Sequence, residues 1–266
     1  MPKGGELHYH LSGGAYPEIM LELTSKDNYC LNTTTWTASK NPSVCKGVET
    51  KDLFNHPDLY ANAIKSWSMK DFVPGKESGH DHFFNSFYKF NAIVADHQPE
   101  LLASVMQTAA LQNEHYMEVM ILPDNAHSLS FGDMLKDTTS FSQKRKLLLA
   151  NPDFQNNVNF TAIESNRILQ QAHQELGCES NPEKKVCQVK IKFLYYSLRE
   201  QSSDNLFAQT LNAFEAAAQS IKNKGALVGV NLVQPEDGII SLRDYRKQMQ
   251  IYQYLHKVYP QVNIAL

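Results

Sequence analysis

Two histidines one residue apart carry the clearest chemistry in this chain: Glu6-Leu7-His8-Tyr9-His10-Leu11, followed by Ser12-Gly13-Gly14. If residues 7–11 form a β-strand, alternate side chains share a face, so His8 and His10 project the same way. Two neutral imidazole nitrogens on one rigid strand can grip a single metal ion, and zinc suits that donor set. The tripeptide alone leaves open a second reading, two imidazoles that merely face solvent. A further His-x-His, His80-Asp81-His82, falls at an expected helix start, where side chains two apart diverge around the axis. It reads as a solvated cap.

The elements that must hold the first pair follow from periodicity. After the opening strand, residues 16–23 start a helix and residues 24–51 form a polar insertion. Helical tracts are expected over 58–72 and 82–95, the latter carrying Phe83, Phe84, Phe87 and Phe90. Pro99 suits the first turn of a helix reaching about 115. Residues 116–122 (YMEVMIL) read as a second strand, and 123–151 as a loop with short helical pieces. A longer helix spans 154–176, then comes a second cysteine loop at 177–188. Strands at 189–198 and 226–233 flank an Ala-rich amphipathic helix at 204–222, and the latter strand is apolar on both faces, as a buried parallel strand should be. Ser241 with Asp244 resembles a cap for a helix running to about 258, and residues 261–266 begin a fifth strand.

Strands alternating with helices imply βα units and a parallel sheet, and chemistry at strand ends favours a TIM-type (β/α)8 barrel. No GxGxxG follows the first strand and no GxxxxGK[ST] occurs, so the phosphate loops of nucleotide-binding open sheets are missing. About five βα units fit in the chain. The expectation is that residues 1–266 are the N-terminal portion of one barrel domain, whose remaining strands lie further along the same protein or on a second fragment.

Composition narrows the partners. With 42% hydrophobic and 20% charged residues the chain is an ordinary globular protein, and a net charge of −3 without a basic block argues against nucleic acid polymers. No stretch approaches the roughly 18 apolar residues of a membrane span, and with Met1-Pro2-Lys3 leading straight into the first strand the expectation is a chain without a signal peptide. Cys30 and Cys45 flank one polar segment, Cys178 and Cys187 another. This local pairing reads as two disulfides and an oxidising compartment, secreted or periplasmic; the alternative is four free thiols. Asn32-Thr33-Thr34 and Asn159-Phe160-Thr161 match the N-glycosylation sequon, a motif common by chance.

The opening Met1-Pro2-Lys3-Gly4-Gly5-Glu6-Leu7-His8-Tyr9-His10-Leu11-Ser12-Gly13 resembles the first strand of the adenosine deaminase family, PK-x-E-L-H-x-H-L-D-G. Further anchors follow in the family's order: the Phe-rich segment at 83–87, Met117-Glu118-Val119, Ser197-Leu198-Arg199, Val228-Gly229-Val230-Asn231-Leu232 and the closing Val262-Asn263-Ile264-Ala265-Leu266. The resemblance spans the chain apart from the cysteine-bearing insertions, and the opening with its cysteines resembles the exported branch with growth-factor-like members. It implies that His8 and His10 are the first two zinc ligands. The third histidine, the aspartate and the catalytic acid/base groups would then lie beyond Leu266, leaving no catalytic residue within this chain. The implied reaction is zinc-dependent hydrolytic deamination of a purine nucleoside, with Ser12, Phe84, Phe87 and Gln234 at substrate-binding positions.

Three positions depart from the family pattern. Ser12 replaces a ribose-binding Asp, Gln234 replaces a Gly close to the purine, and Met120 stands where many members carry Arg. Another adenine-containing substrate, or a non-catalytic binding or signalling relative, are the competing expectations. His173-Gln174-Glu175 matches the H-x-E of a different zinc deaminase class but lacks its P-C-x-x-C, and reads as helix surface. Arg199 reads as a buried structural cation.

Overall fold

A computed structural model describes residues 4–40 and 42–266; Met1, Pro2, Lys3 and Asn41, the first three of which belong to the opening motif, lie outside the described residues. The chain forms two compact units, one comprising the segment ending at His10 together with Ala109–Leu266, the other Leu11–Thr108.

In the first unit, five strands form one sheet: β1 (Gly4–His10), β5 (Glu114–Ile121), β6 (Lys190–Leu198), β7 (Leu227–Val233) and β8 (Asn263–Ala265). Their spatial order is β1-β5-β6-β7-β8 and every neighbouring pair is parallel. The order never reverses. With right-handed crossovers, a sheet wound in one direction places its helices on one face, the half-barrel arrangement, and contains no switch point of the kind doubly wound sheets use for ligands. Among the described residues, β1 and β8 each pair on one side only.

Four helices accompany this sheet: α6 (Phe141–Leu149), α7 (Pro152–Glu175), α8 (Ser203–Lys222) and α9 (Ile239–Val258). The starts of two are set by local chemistry. Asn151 accepts the Phe154 amide at 2.9 Å with Pro152 in the first turn of α7, and Ser202 accepts the Asn205 amide at 3.1 Å at α8. Phe193 and Tyr195 share one face of β6 by alternation and are fully buried, as are Phe207 and Phe214 of α8; Leu194, on the opposite face of the strand, is buried too. Behind it lies a polar cluster centred on Asp124, just after β5. Its carboxylate accepts from Tyr195 Oη (2.7 Å), Asn157 Nδ2 (2.9 Å) and the amides of Ser128 (3.0 Å) and Ala126 (3.2 Å), so the carboxylate needs no water.

The second unit contains α1 (Leu11–Gly14), α2 (Pro17–Lys26), α3 (Pro57–Trp67), α4 (Gly79–Asp96) and most of α5 (Gln98–Leu111). The polar insertion is more ordered than its composition suggests. It builds a small antiparallel sheet, β3-β2-β4, from β2 (Tyr29–Leu31), β3 (Ala38–Lys40) and β4 (Val48–Glu49). Strands of two or three residues carry too little alternation to register in a sequence pattern. Both expected disulfides form, Cys30–Cys45 and Cys178–Cys187, each with Cα atoms 5.5 Å apart.

Several boundaries move for local reasons. Leu11 starts α1 instead of closing β1, α3 stops at Trp67, and the first turn of α4 begins at Gly79 because the Ser78 hydroxyl accepts the Asp81 amide at 3.0 Å. The expected cap of α9 by Ser241 and Asp244 does not form. Gly238 occupies the cap position without a side chain to offer, and the carboxylate of Glu200 accepts the Ser241 amide instead, at 2.6 Å.

Candidate metal centre

β1 delivers its two histidines to one place. The Nε2 atoms of His8 and His10 lie 3.3 Å apart, with ring centroids separated by 5.2 Å. Two nitrogens that each sit about 2.0–2.1 Å from a tetrahedral ion are separated by about 3.3–3.4 Å, so the pair fits two adjacent vertices of a zinc site. The same spacing also permits one N–H···N hydrogen bond between the rings when no ion is held. Burial, and then the neighbouring His8 ring, lower the His10 pKa to about 4, so His10 is neutral at pH 7, the form that ligates metal.

The surroundings arise from the strand's own periodicity. Glu6 shares the histidines' face by alternation and turns its carboxylate back onto the strand, accepting the His8 amide at 3.0 Å. That local bond coincides with a shift in the β1–β5 register between Glu6 and Tyr9. Tyr196, on β6, places its ring 6.1 Å from that of His10. Neither Glu6 nor Tyr196 stood out in the sequence, although the i, i+2 spacing of Glu6 from His8 is a legible signal. No cluster of three or more His, Cys, Asp or Glu able to hold a metal occurs among the described residues.

Gln234 belongs to the same unit, just past the end of β7. Its φ is +92°, in the region that favours glycine, and its side-chain Oε1 accepts the Glu200 amide at 2.8 Å. Gln234 therefore holds a backbone conformation that glycine adopts more readily. Arg199 is buried and donates to Gln248 Oε1 at 3.0 Å while its carbonyl accepts from Gln248 Nε2 at 3.1 Å, the structural role expected of it.

Ser12, Phe84 and Phe87 lie in the other unit. Ser12 is 9% exposed within α1, and a Cβ on Gly13 would stand 3.4 Å from the Phe87 ring. On α4, Phe83 meets Phe84 and Phe87 edge-on at 5.1 and 5.2 Å, and Phe87 meets Phe90 at 5.6 Å. Phe90 is buried, Phe84 and Phe87 are half-buried and Phe83 stays 44% exposed, so only the Phe90 end of the run is core.

Two secondary histidine readings need correction. His82 is not a solvated cap: its side chain is 16% exposed, with Nδ1 3.0 Å from Glu77 and Nε2 within 3.1 Å of the carbonyls of Lys65 and Ser68. It and His80, which faces Asp81 at 3.0 Å, have different partners, as their helical spacing requires. His173 is half-buried, with Nε2 enclosed and unpaired, beside a groove of about 440 Å³ that also touches the Cys178–Cys187 bridge. That groove, and another of about 480 Å³ beside His127 and Phe131, include neither histidine of β1.

No family model matches the chain, and no curated protein matches it. Among solved structures, the chain is similar to adenine deaminase from Arthrobacter aurescens, at 15% identity over 94% of this chain and 55% of that one, with a TM-score of 0.44. It is also similar to an amidohydrolase with bound zinc from Burkholderia ambifaria, at 12% identity over 92% of this chain and 48% of that one, with a TM-score of 0.43. The chain spans about half the length of these solved structures. The class its own geometry defines is α/β, built on a singly wound parallel sheet with a two-histidine strand at one edge.

Proposed function

We propose that this chain is part of a zinc-dependent hydrolase that deaminates adenosine to inosine and ammonia, on a barrel completed by further strands of the same protein or of a second fragment. The observation that carries this reading is the 3.3 Å separation of His8 Nε2 and His10 Nε2 on a strand of a parallel sheet. When bound, zinc supplies the Lewis acidity that makes water a nucleophile at neutral pH. Within this chain, His8 and His10 act as the donors, and the Glu6 carboxylate fixes the strand beneath them through the His8 amide. Gln234 offers its loop backbone to the purine base. Residues that exchange protons with the purine ring belong to the rest of the protein.

A second substrate reading, another adenine-containing compound, is favoured by one observation: Ser12, where a longer charged partner for ribose would stand, is neutral and nearly buried. The two disulfides fit an exported protein, and no helix among the described residues is long and apolar enough to cross a membrane. Ammonia release by the full-length protein from adenosine, adenine and methylated adenosines tests the assignment. Release from adenosine that falls at least 100-fold in His8→Ala supports it; no release from any of them sinks it.

A further inference from the structure

We propose that Glu200 and Gln234 form a latch that positions the β7–α9 loop, residues 234–238, at the carboxyl end of the parallel sheet. Glu200 is held at both of its ends, by that loop and by the helix that follows it. Its amide donates to Gln234 Oε1 at 2.8 Å, and its carboxylate accepts the amides of Ser241 at 2.6 Å and Ile240 at 3.3 Å in the first turn of α9. The neighbouring Arg199 amide donates to the Val233 carbonyl at 3.1 Å, so the β6 and β7 exits are stitched side by side.

Two features indicate that the arrangement is imposed. The other positive-φ residues that are not glycine have φ between 48° and 63°, inside the left-handed helical well, whereas Gln234 stands at 92°, outside it. Such a conformation persists only where its surroundings over-determine it, and the side-chain bond to Glu200 is the fixing contact. At the far end of the loop, a Cβ on Gly238 would lie 2.3 Å from Glu200 Oε1, so glycine there leaves room for the carboxylate where it stands. A plain helix cap would need Glu200 and Gly238 but would be indifferent to Gln234. The latch needs all three.

A positioning role for substrate rests on the function proposed above; the latch itself does not, and the experiment separates the two. Amide hydrogen exchange is measured on the full chain and on Gln234→Met, which keeps side-chain length without an acceptor, Gln234→Gly and Glu200→Gln. The latch predicts that exchange at the Glu200 amide rises at least tenfold in both Gln234 variants, with the amides of Phe193 and Tyr195 unchanged. Glu200→Gln loosens Ile240 and Ser241 less than tenfold but measurably. Protection of the Glu200 amide within twofold of the parent in Gln234→Met and Gln234→Gly overturns the latch. In the full-length enzyme, a positioning role predicts that KM for adenosine rises at least fivefold in Gln234→Met and in Glu200→Gln with kcat within twofold; unchanged KM in both overturns that role. Failure of every protein, parent included, to release ammonia counts against the proposed function and leaves exchange to decide the latch.

Discussion

In the small sheet near Cys30 no strand exceeds three of the described residues, and a disulfide ties its central strand to the loop before β4. In the parallel sheet the three central strands run seven to nine residues, and the Asp124 cluster joins β6 to α7 and α8 by buried hydrogen bonds. The polar contacts beside the small sheet are of another kind: Lys40 reaches Asp96 at 3.2 Å and Asp27 at 3.5 Å, with all three side chains more than a third exposed. Exposed pairs of this sort contribute little, because water and salt screen them. A sheet too short to bury its own ladder depends on covalent closure, whereas a long one can recruit a desolvated network that is strong only while every member is paired.

The largest effect expected from that contrast is in the network. Asp124→Ala strips partners from the buried Tyr195 hydroxyl and the Asn157 amide, and should cost roughly 3 kcal/mol or more in urea unfolding. Tyr195→Phe removes one donor and should cost about 1–2 kcal/mol. If Asp124→Ala unfolds at the parent midpoint, the cluster does not stabilise the first unit and the comparison fails.

Next come the disulfides. Opening Cys30–Cys45, a separation of 15 residues, should cost about 3 kcal/mol, and opening Cys178–Cys187, a separation of 9, about 2.5 kcal/mol on chain-entropy grounds. The sharper expectation is where the cost falls. Limited proteolysis of Cys30→Ser/Cys45→Ser should cut first within residues 27–50, and Cys178→Ser/Cys187→Ser should cut within 176–189. Equal cutting patterns for the two variants would contradict a special dependence of the small sheet on its staple.

The smallest effect is a pH dependence in the second unit. Burial pushes His82 down, but the Glu77 carboxylate and the carbonyls of Ser68 and Lys65 outweigh it and raise its pKa above the usual histidine value. A raised histidine stabilises fully below its unfolded pKa of about 6.5 and loses that contribution as pH rises through the folded value. The Glu77 carboxyl, lowered by His82 and then Asn85, contributes above the usual carboxylate range and loses that only in acid. The melting temperature of the parent relative to His82→Leu should therefore be higher at pH 6 than at pH 8. A difference independent of pH would remove His82 from the account.

Much of this was legible in the residues themselves. Long periodic tracts gave α7, α8 and β6 to within a few positions, because burial on one stripe or on both faces leaves a strong pattern. The strand geometry of His8 and His10 followed from alternation alone. The small antiparallel sheet did not show, since pairing there is set by a disulfide and by contacts distant in sequence. The enclosure of His82 has no local signature, because Lys65 and Ser68 belong to another helix and the turn after it. The Glu200–Gln234 bond was invisible for the same reason: it spans 34 residues and depends on a backbone angle that a glutamine does not advertise.

Zinc titration of the full chain beside His8→Ala and His10→Ala, followed by calorimetry at pH 7, tests the central claim most directly. The two-donor centre predicts binding by the parent that weakens at least tenfold in each variant. Affinity equal in all three proteins would contradict it.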